Sequence, residues 1–128
     1  MTYLLDTHTY YWFRTAPQRL PAAMIQLISN SSEQILISTV TPWEMAIKTG
    51  IGKLNAASLL LDFEARELAA GFQMASITTA QAIRSGLFPS HHRDPFDRLL
   101  AAQALELRLS LISRDPVFEL YGVKRIWD

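Results

Sequence analysis

The sequence predicts an α/β protein in which a parallel sheet carries helices on both faces, and three observations predict it. Short β-type runs recur at residues 3–5, 35–38, 74–77, 109–113 and 123–127. Helical patterns separate most of them, and alternation of this kind favours parallel pairing, because a parallel strand pair needs a crossover long enough to hold a helix. Turn signals are spaced as they are within one compact unit, without a repeat, linker or charge block, so residues 1–128 are expected to form a single domain.

The first run, Tyr3-Leu4-Leu5, stops at Asp6, and the second, Ile35-Leu36-Ile37-Ser38, leads to Thr41-Pro42. Pro42, Pro95 and Pro116 each follow a Thr or an Asp. That is the arrangement of an N-cap followed by proline in the first helical position, where the missing N–H costs nothing. Leu61, Ala65, Leu68 and Phe72 lie at helical spacing and are expected to bury one stripe. Phe96, Leu100, Ala104 and Leu107 form another in a segment apolar on more than one side, which predicts a well-buried helix.

Composition excludes several classes of protein. Hydrophobic residues make up 49% and charged residues 19%, with 5 Gly and 6 Pro, unlike a disordered or low-complexity chain. With no Cys there is neither a disulfide framework nor a thiolate metal site, and structural zinc would depend on 3 His. Asp6 interrupts the first apolar run, and no stretch approaches the ~18 apolar residues of a membrane span. A cytoplasmic protein without a membrane partner is expected. Lys+Arg and Asp+Glu each number 12, so no global basic field holds nucleic acid, and the question of partners falls to the motifs.

Four acids stand at special places: Asp6 after the first strand, Glu44 after the second, Asp97 at the opening of the long C-terminal helix, and Asp115 after Leu111-Ile112-Ser113. The carboxyl ends of parallel strands share one edge, where ligands usually bind, so Asp6, Glu44 and Asp115 are expected to converge there. Asp97 joins them if its helix starts at the same edge. Clustered carboxylates repel, and desolvating them unpaired is costly, so such a cluster implies shifted protonation or a bound cation. All-oxygen ligands suit Mg²⁺ or Mn²⁺, which leave positions open for a substrate phosphate. The matching chemistry is phosphodiester hydrolysis.

Each acid also reads as a helix cap. Thr41-Pro42-Trp43-Glu44 matches a capping box, Asp94-Pro95-Phe96-Asp97 matches the same geometry, and Asp115-Pro116 is an ordinary cap. Both roles coexist at helix starts. His8, His91 and His92 are left out of the catalytic set, since water on a metal needs no His base. Trp12, Trp43 and Trp127 are read as core or interface rather than as stacking platforms for bases.

Four segments resemble the PIN-domain family: Leu4-Leu5-Asp6-Thr7-His8; Trp43-Glu44-Met45-Ala46-Ile47-Lys48 with Gly52-Lys53-Leu54; His92-Arg93-Asp94-Pro95-Phe96-Asp97-Arg98 with its Ala-rich continuation to Ala104; and Leu111-Ile112-Ser113-Arg114-Asp115. Together they are similar to the VapC-type toxins of toxin–antitoxin pairs. The resemblance implies a three-layer α/β/α sandwich with a five-stranded parallel sheet and Mg²⁺- or Mn²⁺-dependent endoribonuclease activity on RNA. It also implies homodimers and a small neutralising antitoxin. The family's metal-binding acids fall on Asp6, Glu44, Asp97 and Asp115. Asp94 matches an auxiliary acid of this subgroup, and the hydroxyls of Thr7 and Ser113 sit where they orient a water or a carboxylate, or cap local backbone.

Other classes fit less well. A phospho-acceptor receiver domain shows an acidic pair after its first strand, whereas Asp6 is followed by Thr7, and a phosphatase with an Asp-x-Asp start is disfavoured by His8. A catalytically silent PIN-like module that binds RNA or protein is the remaining alternative. With all four acids in place, nothing in the residues favours it.

Overall fold

The computed structural model describes residues 1–89, 91 and 93–128; His92, one of the histidines weighed above, lies outside the described residues. The chain runs β1 (Thr2–Leu5), α1 (Thr7–Thr15), a 3-10 turn (Pro17–Arg19), α2 (Ala22–Ser29), β2 (Gln34–Ser38), α3 (Val40–Gly50), α4 (Ala57–Leu60), α5 (Phe63–Ala69), β3 (Gln73–Ala75), α6 (Thr79–Leu87), α7 (Pro95–Leu107), β4 (Ser110–Ile112), a 3-10 helix (Pro116–Tyr121) and β5 (Arg125–Ile126). All five expected strands are present, the third, fourth and fifth shorter than the β-type runs. They pair in parallel in the order β3-β2-β1-β4-β5.

Period-two alternation along the strands builds the layers. Tyr3, Leu5, Ile35, Ile37 and Ile112 face a core completed by Tyr10 of α1, Met24 and Ile28 of α2, and Phe63 of α5. Leu4 and Leu111 face the other core, completed by Leu100, Ala101 and Ala104 of α7 with Phe118 and Val123. The expected burial of α7 holds in its middle turns, where Leu100, Ala101, Ala102, Gln103 and Ala104 are all buried and the helix shows more than one face to apolar neighbours, whereas Leu107, the last residue of the expected stripe, is 43% exposed. Gln103 is tolerated there because its side-chain amide donates to the Ala75 carbonyl at 3.1 Å.

Two local readings fail. The stripe Leu61, Ala65, Leu68 and Phe72 assumed one continuous helix. Instead Asp62 adopts a left-handed conformation (φ 49°) between α4 and α5, which rotates the register. Leu61 is left 70% and Leu68 48% exposed, while Phe63 and Glu67 are the residues of α5 that are buried; of the expected stripe Phe72, beyond the helix, is buried. Buried Glu67 is satisfied from α1: it accepts from Tyr10 Oη and pairs with the Arg14 guanidinium. Burial, reinforced by this carboxylate, pushes the Tyr10 phenol up to about 12.

The second failure is the capping box at Thr41. α3 begins earlier, at Val40, whose N–H donates to Ser38 Oγ at 3.1 Å, so Pro42 lies within the first turn and Thr41 is buried inside the helix. Proline is accepted there because the first-turn N–H groups have no intrahelical partner. The other two caps form as expected. Asp94 caps α7 with Pro95 in the first turn, and Asp115 caps Pro116–Tyr121, which is 3-10 rather than α-helical. Among the described residues no helix is long and apolar enough to cross a membrane.

Candidate active site

The chain leaves β1 for β2 on one side of the sheet and later returns to β4 on the other, so β1 and β4 flank the point where strand order reverses. The carboxyl ends of such a strand pair open a crevice. Asp6 and Asp115 follow these two strands. The Asp6 N–H donates to the Ile112 carbonyl at 3.1 Å, fastening the end of β1 to the end of β4.

Asp6 also starts α1. Its Oδ1 accepts from the His8 N–H at 3.4 Å and its Oδ2 from Ser113 Oγ at 2.6 Å, and it is 5% exposed. Burial raises the pKa of this carboxyl above its ordinary value; the Ser113 hydrogen bond and His8 oppose the shift, and the negative charge of Glu44 adds to it. Ser113 serves both strand ends, since its Oγ also accepts from the Asp115 N–H at 3.1 Å. Asp115 is exposed, and its Oδ1 accepts from Val117 N–H at 2.9 Å.

Asp6, Asp97 and Asp115 line one cavity of about 400 Å³ together with His8, Trp12, Arg114 and Pro116. Asp97 reaches it from the first turn of α7, where Asp94 precedes it as N-cap and accepts from the Phe96 and Asp97 N–H groups at 2.9 and 3.4 Å. Glu44 opens on a neighbouring cleft that shares His8 as a wall and includes Thr7 and Lys48. It is 1% exposed; Oε2 pairs with Lys48 Nζ one turn further along α3, and Oε1 has no hydrogen-bond partner among the described residues. Partial burial works against the Lys48 ammonium, but Glu44, Asp94 and Asp97 outweigh it and leave its pKa above the ordinary value.

The structure thus gathers Asp6, Asp97 and Asp115 in one cavity and sets Glu44 within electrostatic reach of Asp6. Ser113 holds two of the acids as expected of a hydroxyl beside them. Thr7 does not: its Oγ1 lies 3.2 Å from Thr41 Oγ1 and tethers α1 to α3. Sequence reasoning weighed His8 and left it out of the catalytic set, and assigned no role to Lys48 or Arg114. Lys48 was legible from its spacing four residues after Glu44, and Arg114 from its place immediately before Asp115. Trp43, expected in core or interface, is 50% exposed with its ring edge-on to Phe96 at 4.9 Å.

Among the described residues, no three His, Asp or Glu side chains stand together as a ready-made metal site. A hydrated ion does not demand one, because Mg²⁺ keeps several waters and takes one or two carboxylates directly. Two observations fit such an ion: the buried Glu44 Oε1 has no hydrogen-bond partner among the described residues, and the Asp6 carboxyl is buried, with its pKa raised by desolvation.

Fold and site together define a class, a three-layer α/β/α protein with carboxylates lining the crevice at the reversal of a parallel sheet. The chain belongs to the PIN-domain family, whose profile matches residues 3–124. It is 31% identical over 115 residues to Ribonuclease VapC22 of Mycobacterium tuberculosis, an alignment covering 89% of this chain and 87% of the relative. Among solved structures it is similar to VapBC2 from Rickettsia felis bound to a DNA fragment from their promoter, with a TM-score of 0.72 at 15% identity and 100% of each chain covered. It is also similar to DNA-bound VapBC from Salmonella typhimurium, with a TM-score of 0.68 at 20% identity, covering 98% of this chain and 97% of the other. These two share its fold.

Proposed function

We propose that this chain is a Mg²⁺- or Mn²⁺-dependent endoribonuclease acting in the cytoplasm as the toxin of a toxin–antitoxin pair, with residues 1–128 as a single PIN domain. The observation that carries the reading is the cavity at the sheet reversal, lined by Asp6, Asp97 and Asp115, with Glu44 in the neighbouring cleft, its Oε1 buried and without a hydrogen-bond partner among the described residues. The ribonuclease name of the M. tuberculosis relative supports the same activity.

Asp6, Glu44, Asp97 and Asp115 are the residues that would hold the ion, with Asp94 as an auxiliary acid. When bound, the ion supplies Lewis acidity toward the phosphodiester and a water acidic enough to attack at neutral pH. The residues themselves do the positioning. Ser113 fixes the Asp6 carboxylate by donating to Oδ2, and its acceptor contact to the Asp115 N–H locks the loop after β4 to the same point. Lys48 holds one oxygen of Glu44 and leaves the other available. The purified protein, freed of any partner, is expected to cleave RNA with Mg²⁺ or Mn²⁺ and to lose all activity in EDTA. Its products should carry 5′-phosphate and 3′-hydroxyl ends; 2′,3′-cyclic phosphates from a metal-free reaction would rule the mechanism out.

The partner reading rests on the neighbouring VapBC complexes and on exposed apolar residues. Trp43 and Ile47 on α3 and Ile51 at its C-cap are 50%, 40% and 62% exposed and recur every four residues, a face suited to an apolar partner segment. A homodimer that also binds an antitoxin is expected. Sedimentation showing a monomer at every concentration, with or without the protein encoded alongside, would count against both associations.

A further inference from the structure

The cavity has a wall for which cleavage by the acids supplies no role. His8 and Trp12 stand one turn apart on α1, their ring centroids 5.7 Å apart and their planes tilted by 51°. Behind them Trp127 meets Trp12 edge-on at 6.3 Å, and the Arg19 guanidinium lies 5.5 Å from the centre of the Trp12 ring. Trp12 is therefore half-buried and packed from several sides, while His8 is exposed. The two rings are too close and too tilted to admit a base between them, so the outer face of His8 is the surface a planar ligand can meet. Arg114, also exposed, lines the same cavity.

We infer that His8, backed by Trp12, is a nucleobase subsite, on which an unpaired base next to the phosphate at the acids stacks while Arg114 takes the adjoining backbone phosphate. The inference rests on the RNA-cleavage reading and deepens it. A chain of zero net charge with three carboxylates in its cavity gains little from long-range attraction to RNA. Stacking on an aromatic face is indifferent to that charge and tolerant of sequence. His8 is fixed where stacking helps, because the Asp6 cap places it in the first turn of α1, with its own N–H on the Asp6 carboxylate. A base that stacks on protein must first leave its own helix, so the subsite selects single-stranded segments over duplex.

The test uses the full chain and short single-stranded RNAs carrying 2-aminopurine at successive positions, with binding read in EDTA by fluorescence quenching. Quenching is expected at one position with the wild type, to be lost in His8→Ala and recovered in His8→Phe, whose ring stacks but carries no proton. In steady-state cleavage with Mn²⁺, His8→Ala is expected to raise KM about 10-fold with kcat little changed, and His8→Phe to restore most of it. Equal quenching and equal KM in His8→Ala would overturn the subsite. So would a His8→Phe that behaves like His8→Ala, since the imidazole would then act through its nitrogens rather than its face. Loss of partner capture in His8→Ala, with RNA binding intact, would assign the wall to protein docking and overturn it equally. A wild type that quenches through His8 yet cleaves no RNA keeps the subsite and refutes the nuclease reading; one that does neither refutes both.

Discussion

Asp6→Asn is expected to abolish RNA cleavage, by at least ~100-fold, while the metal-free protein melts no lower than the wild type and its stability becomes less dependent on pH. The loss follows from charge. A buried carboxylate at the carboxyl end of β1 is replaced by a neutral amide of the same shape, and the acids no longer attract a divalent ion as strongly. The fold keeps its contacts. Asn caps a helix about as well as Asp, so its Oδ1 can accept the His8 N–H, and its Nδ2 can donate to Ser113 Oγ, which has a second lone pair beside the one facing the Asp115 N–H.

The pH dependence has a definite sign. Burial raises the Asp6 pKa above its ordinary value of 3.8, so between that value and the raised one the folded state holds a proton that the unfolded state has released. Stability of the metal-free wild type therefore falls as pH rises through the folded pKa, and Asp6→Asn removes that fall. Thermal melts in EDTA from mildly acidic to neutral pH check it. Added Mn²⁺ should raise the melting temperature of the wild type and not of the mutant, because only a ligand bound to the folded state shifts the equilibrium. A mutant that is inactive because it is unfolded would remove support for the ligand role. Asp115→Asn, at an exposed cap, should share the loss of activity.

The strands and the acids were legible for the same reason: each is a local pattern. Ile35-Leu36-Ile37 reads as a buried strand because both faces of the central sheet are covered, and Asp6, Glu44, Asp97 and Asp115 stand out because they follow strands or open helices. Glu67 was not legible, since its partners Tyr10 and Arg14 lie on α1, far away in sequence. A periodicity argument assigns a helix face to apolar residues and has no means of seeing a carboxylate satisfied from another element. The left-handed Asp62 is equally silent, and one such residue was enough to turn Leu61 and Leu68 outward. The role of Ser113 depends on β1 and β4 being neighbours, which only the strand order establishes.

Asp97→Asn and Asp94→Ala are expected to separate catalysis from stability within a single helical turn. The Asp94 carboxylate is occupied by backbone: Oδ1 accepts from Phe96 N–H at 2.9 Å and more weakly from Asp97 N–H at 3.4 Å, with Pro95 setting the first turn. Removing it leaves two N–H groups at the start of α7 without their cap, which typically costs about 1 kcal/mol. Asp97 lines the cavity with Asp6 and Asp115, so its charge counts toward an ion there. Its proximity to the positive end of α7 is worth only ~0.3–1 kcal/mol, part of which Asn forfeits, so the stability loss should be small while cleavage falls at least ~100-fold. Both acids also face Lys48, whose charged form they favour, so Asp94→Ala lowers activity as well if the electrostatics around Lys48 and Glu44 matter. Melting curves and RNA cleavage on the two mutants decide the assignment. A stable, inactive Asp94→Ala beside an active Asp97→Asn would exchange the roles, making Asp94 the ligand and Asp97 a helix-start acid whose charge merely complements the dipole.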